Sequence, residues 1–186
     1  MATTKHTLVA IVQDKPGVLN RVASLFRRRN FNLDSISVGH TNVPRRARMT
    51  IVVKGQGDIV EQVRKQLEKL MEVIKAVDIT KENHVTRELA LIKVKTTPSR
   101  ITDIMRIASS FQANIIDISS DSVIVEVVGD QNHINLIYEV LSSFGISEVA
   151  RSGAVAIGRR DISSILEGES EVVRRYKIKK LTSSNK

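Results

Sequence analysis

The 186-residue chain contains no cysteine and no tryptophan. The first absence excludes disulfides, thiolate nucleophiles and cysteine-built zinc sites. Aromatic residues make up only 3% of the chain, so few rings are available for stacking bases. No apolar run approaches the roughly 20 residues that a membrane-spanning helix needs. The opening Met1-Ala2-Thr3-Thr4-Lys5-His6 lacks the apolar stretch of a secretory signal, and the expected location is the cytoplasm, without membrane contact. The four histidines, His6, His40, His84 and His133, show no ligand spacing, so no metal site is expected. The serine pairs 109–110, 119–120 and 163–164 lack a G-x-S-x-G context, which argues against a nucleophile. Gly55-Gln56-Gly57 is a strand-to-helix loop without a phosphate-loop signature. Asp117 and Asp121 read as hairpin residues, not a catalytic pair.

What is present is the composition of a soluble globular protein, 41% hydrophobic and 26% charged. The net charge of +9 raises the question of nucleic acid, but it is unevenly placed. From Arg159 to Lys186 there are eight Lys/Arg and four Asp/Glu, a surplus of four in the tail alone. Arg27-Arg28-Arg29 reads as helix-end cations facing the negative pole of the dipole. Arg45 and Arg46 follow Pro44 in a turn.

Hydrophobic periodicity gives the organisation. Residues 7–13 read as a strand and 16–29 as a helix with Val18, Leu19, Val22, Leu25 and Phe26 on one side. Strands follow at 31–40 and 48–54, separated by a turn at Asn42-Val43-Pro44-Arg45. Ile59, Val63, Leu67 and Leu70 mark a second helix, and 73–79 a closing strand. The order is the split βαβ of ferredoxin-like folds. It then recurs: strand 87–95, a helix opened by Pro98 with Ile101, Ile104, Met105, Ala108 and Phe111 inward, and a hairpin over 114–128. A helix with Ile134, Ile137, Leu141 and Phe144 and a strand at 146–150 complete the repeat. The expected fold is therefore α+β, two tandem βαββαβ domains over 1–80 and 81–158, then a charged tail over 159–186. In the tail, Ile162, Ile165 and Leu166 suit one short amphipathic turn and Val172-Val173 another, and 177–186 is expected to be mobile.

The most informative stretch is Val9-Ala10-Ile11-Val12-Gln13-Asp14-Lys15-Pro16-Gly17-Val18-Leu19. A strand runs into Asp-x-Pro-Gly and a helix follows. Pro16 suits a first helical position, and Gly17 leaves the first free amides without a covering side chain, a ready carboxylate site. Asp14 beside them suits an ammonium group. Taken singly, Gly17 reads equally as a turn glycine, Asp14 as a helix cap and Asn32 as the start of a strand.

In sequence context this segment resembles the opening of an ACT domain. With Phe31-Asn32-Leu33-Asp34-Ser35-Ile36-Ser37-Val38 it resembles the regulatory (small) subunits of acetolactate synthase, also called acetohydroxyacid synthase. Arg48-Met49-Thr50-Ile51, Val85-x-Arg87-Glu88-Leu89 and Glu148-Val149-Ala150-Arg151-Ser152-Gly153 match the same family, in order. The resemblance implies a non-catalytic chain with no cofactor of its own. Its partner is a catalytic (large) subunit carrying thiamine diphosphate, magnesium and FAD. The small subunit raises that activity and confers feedback inhibition by valine, a branched-chain amino-acid effector. The resemblance further implies a homodimer in which two first domains pair side by side through their sheets. Valine then sits between them, held by Asp14, Pro16, Gly17, Val18 and Leu19 of one protomer and by Asn32 and Leu33 of the other. Members of the family often carry Asn where this chain has Asp14. An ionised Asp only accepts hydrogen bonds, so it pairs with the ligand ammonium and repels the carboxylate. The alternative reading is an RNA-binding protein, since RNA-recognition modules share the βαββαβ order. Those modules stack bases on strand aromatics, and Arg48-Met49-Thr50-Ile51-Val52-Val53 carries none.

Overall fold

The structure is a computed structural model that describes residues 4–29 and 31–159; the expectations for the tail beyond Arg159 lie outside the described residues. The elements follow the order β1 (Thr4–Gln13), α1 (Val18–Arg28), β2 (Leu33–His40), β3 (Arg46–Gly55), α2 (Gly57–Leu67), β4 (Val73–Asp78), β5 (His84–Lys95), α3 (Ile101–Ser110), β6 (Asn114–Ile118), β7 (Ser122–Gly129), α4 (Gln131–Ser142), β8 (Ile146–Arg151) and β9 (Val155–Gly158). The first sheet is ordered β2-β3-β1-β4 and the second β6-β7-β5-β8, with β9 pairing β5 off that path. The two four-strand orders are the same permutation, so the ferredoxin-like repeat read from hydrophobic periodicity is present twice.

The described chain divides into two units: residues 4–85 with 156–159, and Thr86–Val155. The junction thus falls at Val85, a few residues after the expected 80/81 boundary. Residues 156–158, expected in the second domain, belong to the first. The strand β9 is not among the expected elements, because the four apolar residues after Gly153 carry no periodic signal of their own.

In the first unit, Leu8, Ala10 and Val12 of β1 face the helices, where Val22, Phe26, Val60, Val63 and Leu67 complete the core. Truncating a fully buried ring such as Phe26 (1% exposed) costs about 3–5 kcal/mol. The other face of the sheet is buried too. Val9, Ile11 and Ile79 cluster with Ala156 of β9. Arg48 Nη2 donates to Ala156 O at 2.9 Å and the Ala156 amide to Thr50 Oγ1 at 3.3 Å. This double burial is why residues 8–12 are apolar without alternation. It also covers the sheet face on which an RNA-recognition module stacks its bases.

Three helical faces differ from the periodic reading. Leu19, expected on the same side as Val18 and Val22, is about half exposed. Val60 is buried and Ile59 exposed, and Met105 is exposed while Ile104 and Ala108 are buried. Each expected residue lies about 100° around the helix from its buried neighbour, too close for spacing alone to choose between them.

At one end of the first sheet, Lys5 and Lys54 are directly opposed on β1 and β3, a like-charge cross-strand pair. Asp34, at a bulge in β2, neutralises both, with contacts of 2.6 Å to Lys5 and 3.1 Å to Lys54. The hydrogen bond from Lys5, seconded by Lys54, holds the Asp34 carboxyl below its ordinary range.

The second unit packs Ala90, Ile92 and Val94 of β5 and Val123, Val125 and Val127 of β7 against Ile104, Ile134, Ile137 and Leu141. Its β5 and β8 are joined by a fork: Arg151 Nε donates to Glu88 Oε1 at 2.7 Å and Nη2 to Oε2 at 2.8 Å. Arg151 Nη1 reaches Asn135 of α4 at 3.0 Å. Beside it Leu89 and Ser152 exchange bonds, the Leu89 amide to Ser152 Oγ and the Ser152 amide to Leu89 O. The segments 85–89 and 148–153, separate in sequence, thus form one contact.

Candidate functional site

The turn after β1 does not enter the helix as expected. Pro16 and Gly17 form a turn, α1 starts at Val18, and Gly17 is its N-cap, with no side-chain cap. Pro16 therefore precedes the helix and does not occupy its first turn, and Asp14 does not cap it. Gly17 has φ +85° with nothing within 4 Å of where a Cβ would stand. The glycine is required by its left-handed backbone, and the space beside it is open. The Val18 amide makes a long 3.4 Å bond to Lys15 O. No acceptor reaches the amides of Gly17, Leu19 or Asn20 among the described residues. Three donors at the positive end of a helix thus face open space, the elementary requirement for a carboxylate.

Neighbouring elements fix this turn. The Gln13 amide donates to Glu72 O at 2.8 Å, the Asp14 amide to Arg45 O at 2.9 Å and the Arg21 amide to Gly17 O at 3.0 Å. The Arg21 side chain pairs with the Glu72 carboxylate. Arg45 is one of two non-glycine residues with positive φ among the described residues, at 62°, and that strained conformation aims its carbonyl at Asp14. The Asp14 carboxylate lies 3.2 Å from His40 Nδ1, both side chains well exposed. Arg46 Nη1 and Glu72 Oε2 are buried without a hydrogen-bond partner, and both residues flank Gln13. Leu19 and Val38 leave about half of their apolar surface exposed at this end of the unit. Nothing in the sequence connects His40, Arg45 or Glu72 with this turn. Only strand register brings them to the turn, and no local pattern marks them.

Asn32 and Leu33 are elsewhere. Leu33 pairs with Val53, which pairs with His6, whereas Asp14 follows Gln13, which pairs with Arg46. Seven strand positions separate His6 from Gln13, about 23 Å at the usual rise. One chain brings Asp14, Pro16, Gly17, Val18 and Leu19 together and leaves Asn32 and Leu33 at the far end of the sheet. Asn32 is exposed and Leu33 packs partly on the core.

Thr4 Oγ1, His6 and Asp78 form a row at 3.2 and 3.0 Å. The Thr4 hydroxyl also lies within donating reach of Gly55 O at 3.4 Å. Asp78 is further fixed by Thr80, whose hydroxyl accepts from the Thr7 amide. Burial pushes the Asp78 carboxyl up, but the hydrogen bonds from Thr80 and His6 outweigh it and hold it below its ordinary range. The row pins β1 to β4. Among the described residues no three His, Asp or Glu side chains are grouped to hold a metal ion, and no helix is long and apolar enough to cross a membrane.

Comparison with known proteins agrees with this architecture. Residues 8–75 match the model of an AHAS small subunit-like ACT domain, and residues 87–160 that of the small subunit of acetolactate synthase. A probable acetolactate synthase small subunit of Archaeoglobus fulgidus is 48% identical over 83% of this chain and 97% of its own length. The acetolactate synthase small subunit of Bacillus subtilis is 44% identical over 83% and 91%. The crystal structure of the small subunit from Thermotoga maritima superposes with a TM-score of 0.78 at 38% identity, covering 85% of this chain and 99% of that one. With both halves matched in order and relatives aligned over nearly their full length, the chain belongs to the family of acetolactate synthase small subunits, with an ACT domain at its N-terminal end.

Proposed function

We propose that the chain is a non-catalytic activator of a catalytic acetolactate synthase subunit and carries its feedback inhibition by valine. Thiamine diphosphate, magnesium and FAD reside on that partner, in the cytoplasm, and this chain contributes no cofactor and no reacting group. The observation that carries the reading is the separation of the two half-sites along one sheet. The β2 strand is an edge of that sheet. A second copy running antiparallel along β2, about a two-fold axis near Ile36 and Ser37, sets the partner's Leu33 beside His40, and His40 touches Asp14. The partner's Asn32 then faces the turn. Such a pairing makes a two-fold interface and closes two equal crevices.

In each crevice the valine carboxylate takes the bare amides of Gly17, Leu19 and Asn20, and Asp14 takes the ammonium group. Leu19 and Val38 offer apolar surface for the isopropyl group. Valine acts by population shift: it favours the arrangement that supports the catalytic subunit less well, and the extent of inhibition is bounded by its differential affinity for the two states. An effector working at micromolar to millimolar concentration has about 4–8 kcal/mol of binding free energy, within reach of a few amides, one ion pair and a small apolar wall.

Titration calorimetry of the full chain with valine, leucine and isoleucine, together with activation assays on the catalytic subunit, tests the reading. Valine binding at one site per chain and a raised acetolactate rate are expected. Absence of both overturns it.

A further inference from the structure

Three cations converge on a cleft that the effector turn does not use. It lies where the two helices of the first unit end. Arg29 caps α1, and Lys69 follows the end of α2. The cleft has a volume of about 510 Å³, and its lining includes Arg29, Lys65, Lys69, Gln62, Gln66 and the ring of Phe31. Glu68 also lines it, but Arg64 holds that carboxylate at 2.9 Å. Lys65 pairs with Glu61 at 3.7 Å, and Arg64 also takes both oxygens of Glu61 at 2.7 Å each; Arg64 and Lys65 thus balance Glu61 and Glu68, and Arg29 and Lys69 carry the surplus positive charge. Arg27 and Arg28, in the last turn of α1, extend the positive surface.

Cations at helix ends often only oppose the dipole. Here the terminal carbonyls are already served by amides. Phe26 O accepts from Arg29 and Phe31, and Arg64, Gln66 and Leu67 carbonyls accept from Glu68, Lys69 and Leu70. Lys69 lies beyond the helix altogether. Phe31 is held edge-on against Phe26, ring centroids 6.4 Å apart, and supplies a fixed apolar wall among the charges. Two carboxamides one helical turn apart, Gln62 and Gln66, add donors.

We infer that this cleft docks an acidic segment of the catalytic subunit, with carboxylates on Arg29, Lys65 and Lys69 and an apolar side chain against Phe31. The inference rests on the proposed activating role and names the surface that delivers it. Charge selects the occupant. A second copy of this chain, which the proposed pairing places along β2, brings a surplus of positive charge that does not complement this cleft, and a bare inorganic anion leaves the ring uncovered. Opposed charges at a rim act mainly on association rate and on its salt dependence.

The test titrates the catalytic subunit with the full chain carrying Lys65→Glu plus Lys69→Glu, with Arg29→Glu, and with Lys81→Glu as an exposed control outside the cleft. The cleft variants are expected to need at least tenfold more chain for half-maximal activation and to lose most of the salt dependence. Their valine binding and circular dichroism stay as in the wild type, as does activation by Lys81→Glu. Lys65→Arg plus Lys69→Arg retains activation. Cleft variants that activate like the wild type place the docking surface elsewhere and overturn the inference while the activating role stands. A wild-type chain that does not activate overturns both. Pyrophosphate or a uridine-rich RNA that binds the wild type and not the cleft variants, with activation unchanged, makes a small anion or RNA the occupant and also overturns it.

Discussion

Asp14 and Asn32 stand at opposite ends of the same sheet, because Gln13 pairs with Arg46 whereas Leu33 pairs with Val53. Residues expected to hold one ligand therefore cannot do so within one chain. The consequence is a set of experiments that depend on two copies meeting.

Gly17→Asp is expected to abolish valine inhibition and leave activation of the catalytic subunit within about twofold. The new carboxylate meets the same bare amides that are proposed to take the ligand carboxylate. Gly17→Ala is expected to lower stability by about 1–2 kcal/mol, the cost of a left-handed non-glycine residue, since open space there rules out a clash. Inhibition curves check the first and urea unfolding the second; a Gly17→Asp chain that remains fully inhibited refutes the site.

Mixing two insensitive variants provides a sharper check. Gly17→Asp and Asn32→His chains, each insensitive alone, form hybrid dimers in which one crevice carries both lesions and the other neither. Partial recovery of valine binding, approaching one site per hybrid dimer, is expected by calorimetry after co-refolding. No recovery means that the two half-sites belong to one chain or to different sites. Valine is also expected to raise the dimer fraction in sedimentation, by mass action.

Glu88→Gln removes the charge from a fork whose carboxylate side chain is 9% exposed and whose guanidinium is 33% exposed. A loss of about 2 kcal/mol is expected, in the range for hydrogen bonds to charged groups. Arg151→Lys is not expected to restore it, because an ammonium cannot make the parallel pair. Denaturant unfolding of the three proteins measures both effects.

Asp34 gives a pH signature. Its folded carboxyl ionises below the ordinary value of 3.8 because Lys5 and Lys54 bond to the charged form. The stabilisation is complete above the unfolded pKa and is lost as pH falls through the folded one. Between about pH 5 and pH 2 the wild type should therefore lose stability more steeply than Asp34→Asn. Equal slopes in thermal unfolding across that range would show that the lysine clamp contributes nothing.

The succession of elements was legible in the sequence because hydrophobic periodicity is local. Leu8 to Val12, Val22 with Phe26, and Ile134 with Ile137 and Leu141 each announce a buried face within a few residues. The turn at Asp14 to Gly17 was legible for the same reason, since Pro-Gly after an apolar strand has few other uses. Three details failed where neighbouring apolar residues compete for one helical face: Val18 with Leu19, Ile59 with Val60, and Ile104 with Met105.

The sequence by itself thus determined two βαββαβ repeats and a helix entry bare of side chains. Tertiary structure alone decided that Ala156 returns to cover Val9 and Ile11, that Glu88 meets Arg151, that Arg45 and Glu72 hold the turn at Asp14 to Gly17, and that Asn32 stands at the opposite end of the sheet from it. The physical reason is that these relations depend on strand register and chain reversal. Both bring together residues tens of positions apart, and no local spacing encodes them.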